Sequence, residues 1–259
     1  METDAVLELV RAVADEVVVP RFRALDSEQV TEKGPGDLVT VADREAEEML
    51  TRELRAAYPD ALVLGEEAAA RDPGVLDRYR DADHAFTVDP VDGTRNFVHG
   101  SPDHAVMVAE VRGGESVRAW IWQPQHRLAY VAERGAGAFR NGERLTRPPG
   151  GEALRGVTSR RSWIGRALGT LAALELTWVC CGIDYPKLVE AEADYAVYRT
   201  AKPWDHAPGS LLLTEAGGFV GTFAGEPYRP QDPEPAGLVA ASDRAAYDLV
   251  QGLLPDLRR

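Results

Sequence analysis

The chain has 259 residues, with 29 Lys and Arg against 42 Asp and Glu, a formal charge of −13. That balance disfavours nucleic acid or an anionic membrane as the main partner, and the length allows one large core or two layered halves. The first residues lack a basic, apolar, small-residue signal pattern, and no run approaches the ~20 apolar residues that span a bilayer, so the expectation is a soluble cytoplasmic protein.

In chain order, Val6, Leu9, Val10, Val13 and Val17 recur at helical spacing and predict a helix over 4–19, ended by Pro20. Residues 28–37 are polar and carry Gly34-Pro35-Gly36, which predicts a loop holding Lys33. Residues 38–42 read as a short extended piece. A second helix starts at Asp43, with Ala46, Met49, Leu50 and Leu54 on one side. The apolar run 61–64 leads into Gly65-Glu66-Glu67, and another apolar strand leads into the segment 88–97. From 104 to 140 the period becomes two: 106–109 and 117–122 flank Gly113-Gly114, and 128–133 and 136–139 flank Gly135, with a tight turn at Asn141-Gly142. This predicts an antiparallel meander.

Beyond Pro148 the pattern alternates. Strands are expected at 154–159, 176–180, 193–198, 219–220 and 237–241, and helices at 162–174, 185–192, 205–216 and 243–254. The segment 146–152 is a plausible boundary, dividing the chain into an α+β half, 1–147, and an α/β half, 148–259, that together form one compact unit. Cys180 and Cys181 are the two cysteines, and they are adjacent. Neighbouring cysteines rarely bridge, so both are expected as free thiols.

The chemistry concentrates in Asp89-Pro90-Val91-Asp92-Gly93-Thr94. Two carboxylates three residues apart suit a hard cation, because Mg²⁺ takes oxygen ligands. The Gly93-Thr94 pair offers backbone N–H groups to a phosphate. Glu66 supplies a second acidic position, and Asp205, at the start of the helix expected over 205–216, a third. Alone, the Asp89–Asp92 segment reads as a turn and Asp205 as an N-cap.

Taken together, G-E-E, D-P-V-D-G-T-R-N-F-V-H-G and W-D-x-A-x-G-x-x-L-x-E-A-G-G resemble the inositol monophosphatase family of Mg²⁺-dependent, lithium-sensitive phosphatases, over nearly the whole chain. The resemblance implies a layered α-β-α-β-α sandwich of the inositol monophosphatase/fructose-1,6-bisphosphatase type, and a homodimer. It implies that Glu66, Asp89 and the Val91 carbonyl hold one Mg²⁺, and that Asp89, Asp92 and Asp205 hold a second. A third, looser Mg²⁺ would sit under the Lys33 loop. A metal-activated water would attack a small phosphorylated metabolite, with Glu66, Thr94 and Asp43 as catalytic residues, Thr94 and Asp43 forming the proton relay. The Val91 carbonyl is expected to be free, and Gly93 and Thr94 to hold the phosphate.

Substrate contacts fall to Asp92, Gly93, Thr94, Cys181, Tyr198 and Asp205. Here the sequence departs from the animal inositol phosphatase pattern. Cys180-Cys181-Gly182-Ile183-Asp184 replaces a Gly-Thr/Ser-Ala-Ala block, Tyr198 stands where that pattern has an acid, and Arg95 replaces a small residue. Inositol 1-phosphate or a similar polyol or sugar phosphate leads the expected substrates. The alternatives are histidinol phosphate, adenosine 3′,5′-bisphosphate, or a non-catalytic module that binds a partner, as one bacterial relative does with the transcription machinery. Glu67 either supports the acidic cluster or faces solvent, His99 and His104 have surface or packing roles, and Trp204 packs under Asp205.

Overall fold

The computed structural model describes residues 1–34, 37–151, 153–233 and 235–258. Its first layer is helical. Helix α1, Thr3–Val13, buries Val6, Val10 and Val13 at spacings of four and three. The chain then widens into a π turn, Ala14–Val18, and tightens into a 3₁₀ turn, Val19–Arg21, where Pro20 lacks the N–H a longer helix needs. The expected single helix over 4–19 is therefore three kinds of helical turn in series.

Strands β1, Val30–Gly34, and β2, Asp37–Thr40, form an antiparallel hairpin. Most of the expected loop over 28–37 is thus strand, and Lys33 sits on it; Pro35 and Gly36 lie outside the described residues. Helix α2, Val41–Ala57, follows directly. Thr40 is its N-cap and Asp43 its third residue, and their side chains satisfy each other's backbone N–H groups in a capping box. Asp43 is thus not the cap itself.

Next come β3, Leu62–Gly65; two short helices, α3, Glu66–Arg71, and α4, Gly74–Arg80; and β4, His84–Asp92. Helix α5, Thr94–Val98, leads to the meander β5, Ala105–Arg112; β6, Glu115–Gln123; β7, Leu128–Glu133; β8, Gly137–Arg140; and β9, Glu143–Leu145. Strands β3 to β9 form one seven-stranded sheet in sequence order, parallel only between β3 and β4.

The second sheet is built from β10, Gly156–Thr158; β11, Glu175–Leu176; β12, Tyr195–Tyr198; β13, Phe219–Thr222; and β14, Leu238–Ala241, in the order β11-β10-β12-β14-β13. Helices α6, Cys181–Val189, and α7, Pro203–Glu215, lie between the sheets, and α8, Arg244–Leu253, covers the far face. The buried clusters follow these layers. One joins α1 and α2 to the first sheet, one joins the first sheet through α6 and α7 to the second, and one joins the second sheet to α8. This is the expected α-β-α-β-α sandwich. Among the described residues no helix is long and apolar enough to cross a membrane.

Three local expectations need correction. No helix spans 162–174: a 3₁₀ turn, Arg161–Trp163, opens a loop in which Gly165 (φ +80°) and Gly169 (φ +54°) are left-handed and Ala167 bridges Ala173. The strand expected over 176–180 ends at Leu176, and Val179 turns at φ +60°. Helix α6 begins four residues earlier than expected and keeps Pro186 inside it. Proline has no N–H for the carbonyl four residues back, which is that of Gly182. The Gln123 side chain on β6 donates to that carbonyl instead, at 2.7 Å.

Candidate active site

The ends of six elements, β4, α2, α3, α5, α6 and α7, meet in one place. Strand β4 delivers Asp89 and Asp92, and its pairing with β5 breaks register between those two residues. The break spreads the acids around a bend rather than along a flat strand. Gly93 then adopts φ +79° and starts α5. A Cβ there would stand 3.0 Å from Cys180 Cβ and 3.1 Å from the Asp103 carbonyl oxygen, so conformation and space both require glycine.

The Thr94 hydroxyl lies 3.0 Å from Asp43 Oδ1 and 3.0 Å from the Val91 carbonyl oxygen. The expectation of a free Val91 carbonyl is therefore corrected: it is out of the ladder but accepts from Thr94. Asp43 is buried, and its other oxygen accepts from the Thr40 N–H at 2.8 Å and the Thr40 hydroxyl at 2.5 Å. Burial raises its pKa to about 6, against the pull of the Thr40 and Thr94 donors.

Asp89 is 2 % exposed, and its Oδ1 is buried with no hydrogen-bond partner. Burial first, then Glu66, Asp92, Asp205 and Asp43, push its pKa well above the carboxylate range. Asp205 on α7 is likewise raised well above the usual carboxylate range, by burial first and then by Asp92 and Glu66. Asp92 Oδ2 accepts from the Gly182 N–H at 2.5 Å and the Cys180 thiol at 2.9 Å. Gly182 has no room for a side chain, because a Cβ would stand 2.5 Å from Ala105 Cβ.

Glu66 opens α3. Its Oε1 accepts from Lys33 Nζ at 2.6 Å, and Lys33 also reaches Glu67 at 2.7 Å. Burial works against the Lys33 charge, but Glu66 and Glu67 outweigh it and raise its pKa. Glu67 is buried and paired, so it is not a solvent-facing acid, and Lys33 is held by both acids.

Six carboxylates, Asp43, Glu66, Glu67, Asp89, Asp92 and Asp205, thus share one region, and the Lys33 ammonium is bonded to two of them. Among the described residues, no three Asp, Glu, His or Cys side chains stand ready-made around a metal position. The reason is visible in their partners: Glu66 is turned to Lys33, and Asp92 to Gly182 and Cys180. The donor set still fits a hard cation. It is all oxygen, its members raise one another's pKa, and Asp89 keeps a buried oxygen without a partner.

The pocket residues divide. Cys181 is half-buried and close enough for the charges of Asp92, Asp205, Asp184 and Asp89 to act on it. Both cysteines are free thiols, as expected. The expectation that Tyr198 faces a substrate does not fit its position. It is 2 % exposed, stacks on Tyr185 and donates to Asp184 Oδ2 at 3.4 Å. Asp184, one turn into α6, is the acid held there, and it also accepts from the Trp178 N–H at 2.9 Å. Its place in the five-residue block that departs from the family pattern was the only sequence signal for it. Arg95 and His99 are exposed. His104 is buried between Phe22 and Phe97, which is a packing role. Trp204 packs against Leu64, Tyr79 and Ala85, fastening the start of α7, and so Asp205, to the first sheet and α4.

The sequence profile described as the inositol monophosphatase family matches residues 2–258. The chain is 36 % identical to an inositol-1-monophosphatase of Mesorhizobium japonicum, over 79 % of this chain and 79 % of that one. It is 32 % identical to the Nus factor SuhB of Xylella fastidiosa, over 97 % of this chain and 94 % of that one. A solved IMPase of Thermotoga maritima superposes with a TM-score of 0.82 at 27 % identity, covering 98 % of this chain and 97 % of that one. The chain belongs to the inositol monophosphatase family, and with it to the phosphoric monoester hydrolases.

Proposed function

We propose that the protein is a Mg²⁺-dependent phosphomonoesterase acting on inositol 1-phosphate or a similar polyol or sugar phosphate. The observation that carries this reading is the buried carboxylate cluster with the partnerless Asp89 oxygen at its centre. So much like charge in one buried place is costly without a cation to offset it. Glu66, Asp89 and the Val91 carbonyl would hold one Mg²⁺, and Asp89, Asp92 and Asp205 a second. A third ion under the hairpin would have to displace Lys33 from Glu66 and Glu67. When bound, such ions supply positive charge and an acidified water.

The chain's own residues do the rest. Asp43 holds and orients the Thr94 hydroxyl, which can pass a proton from an attacking water. Glu66 lies at the same edge and can share in taking that proton. The Gly93 and Thr94 N–H groups, at the left-handed turn where α5 begins, can receive the phosphate oxygens. Cys181, at the start of α6, borders the position for the organic part of the substrate.

The halves 1–147 and 148–259, and the homodimer, are further parts of this proposal. Sedimentation of the purified protein tests the dimer.

A second reading has one observation behind it. Relatives named Nus factor SuhB match at identities like those of relatives named inositol-1-monophosphatase. A partner-binding role, nucleic acid included, therefore stands as the alternative despite the acidic balance.

The test is phosphate release from inositol 1-phosphate, histidinol phosphate, adenosine 3′,5′-bisphosphate, fructose 1,6-bisphosphate and glycerol 2-phosphate, each with Mg²⁺ and with EDTA. A Mg²⁺-dependent favourite supports the first reading and names the substrate. No release from any, by folded protein that binds Mg²⁺, favours the second.

A further inference from the structure

Glu47 belongs to none of the motifs above, yet it touches the site. It lies on α2 one turn beyond Asp43, so the two side chains leave the same face of one helix. It is 3 % exposed. Its Oε2 accepts from the Glu67 N–H at 2.6 Å and its Oε1 from the Ala68 N–H at 2.8 Å. Those N–H groups belong to the first turn of α3, the turn that Glu66 opens. Arg71 approaches the same carboxylate at 3.7 Å.

Gly65, just before that turn, fits the contact closely. Its φ of −100° is ordinary, so conformation does not demand glycine. Space does: a Cβ there would stand 2.2 Å from Glu47 Cδ and 2.3 Å from Glu47 Oε2. A neutral amide of the same length has one acceptor oxygen and would turn an NH2 group towards the second N–H. The carboxylate instead grips the turn through both oxygens and fixes its angle. Helix α2 therefore holds two arms of the site at once, Thr94 through Asp43 and Glu66 through Glu47.

We propose that Glu47 is a positioning residue, which through the β3–α3 turn fixes where the Glu66 carboxylate stands and so sets the site's affinity for a divalent cation. This rests on the reading of Glu66 as a metal ligand.

The test is Mg²⁺ binding by calorimetry to the intact protein and to Glu47→Gln, Gly65→Ala and the double variant Glu47→Ala/Gly65→Ala, with circular dichroism confirming each fold. Outer partners of metal ligands typically contribute about 10- to 100-fold in metal affinity. Glu47→Gln is expected to weaken Mg²⁺ binding by at least about tenfold while remaining folded, and phosphate release lost at low Mg²⁺ should return at high Mg²⁺. Gly65→Ala should reproduce the loss with Glu47 intact, and should add little once Glu47 is already Ala. If Glu47→Gln does not fold, Gly65→Ala carries the test. Unchanged Mg²⁺ affinity in a folded Glu47→Gln or Gly65→Ala, beside an intact protein that binds Mg²⁺, overturns the inference alone. An intact protein that binds no Mg²⁺ overturns the metal reading, and the inference with it.

Discussion

The Thr94 hydroxyl stands 3.0 Å from Asp43 Oδ1 and equally 3.0 Å from the Val91 carbonyl oxygen. A hydroxyl has one proton and can donate to only one of them at a time. If the Val91 carbonyl is drawn to a cation, the Thr94 proton turns to Asp43, and the hydroxyl lone pairs face the site. Thr94→Ala should therefore lower kcat by about 10²-fold, the usual size of a lost proton-transfer group, and leave Mg²⁺ affinity nearly unchanged. Turnover measured across a Mg²⁺ titration separates the two effects.

Asp89→Asn should trade function for stability. The carboxylate is raised by burial and by four neighbouring acids, so its charge destabilises the metal-free fold. The amide removes that repulsion. The variant should melt higher than the parent in EDTA and gain nothing from Mg²⁺. Differential scanning calorimetry with and without Mg²⁺ checks both.

The stability of the metal-free protein should fall as pH rises. Burial raises Asp43 to about 6 and Glu47 to about 7, and raises Glu66 as well. A carboxyl raised on folding binds more protons in the folded state than in the unfolded one. Its contribution is complete below the unfolded pKa, near 4, and is lost as pH climbs through the folded values. Lys33, raised above its ordinary value, stays charged throughout and does not alter the sign. His84 and His104, lowered by burial, oppose this only below their ordinary value near 6.5, so the melting temperature in EDTA should decline from pH 6.5 to pH 8, and Mg²⁺ should restore more at pH 8 than at pH 6.5.

Gly93→Ala meets both strain and contact. The left-handed φ costs about 1–3 kcal/mol for a residue with a side chain, and the new Cβ crowds Cys180 and the Asp103 carbonyl. Urea denaturation should show a loss in that range, with activity falling more steeply because the same turn carries Thr94.

Much of the fold was legible because it rests on periodicity. The meander reads at period two, the layers alternate in the second half, and α1, α2 and α8 carry apolar stripes. The misreadings have local causes. The apolar residues of 162–174 resemble a helix, but Gly165 and Gly169 turn left-handed and Leu174 N–H bonds back to Arg166. The polar stretch 30–34 pairs as a strand because its hairpin partner supplies the hydrogen bonds, not a buried face. The site's acids were legible as motifs, and the structure brings Asp43, Glu66, Asp89, Asp92, Thr94 and Asp205 into one region. Glu47 was invisible, because it acts on backbone N–H groups 20 and 21 positions away. Tyr198 stands where the family pattern has an acid, but position in a pattern does not tell which way a strand's side chain faces.

The most direct measurement is phosphate release from inositol 1-phosphate as Mg²⁺ is titrated, with Asp92→Asn as the control. The account predicts release that is absent in EDTA, rises with Mg²⁺, and is nearly abolished by Asp92→Asn while the variant stays folded. Release that persists in EDTA, or that survives in Asp92→Asn, would contradict it.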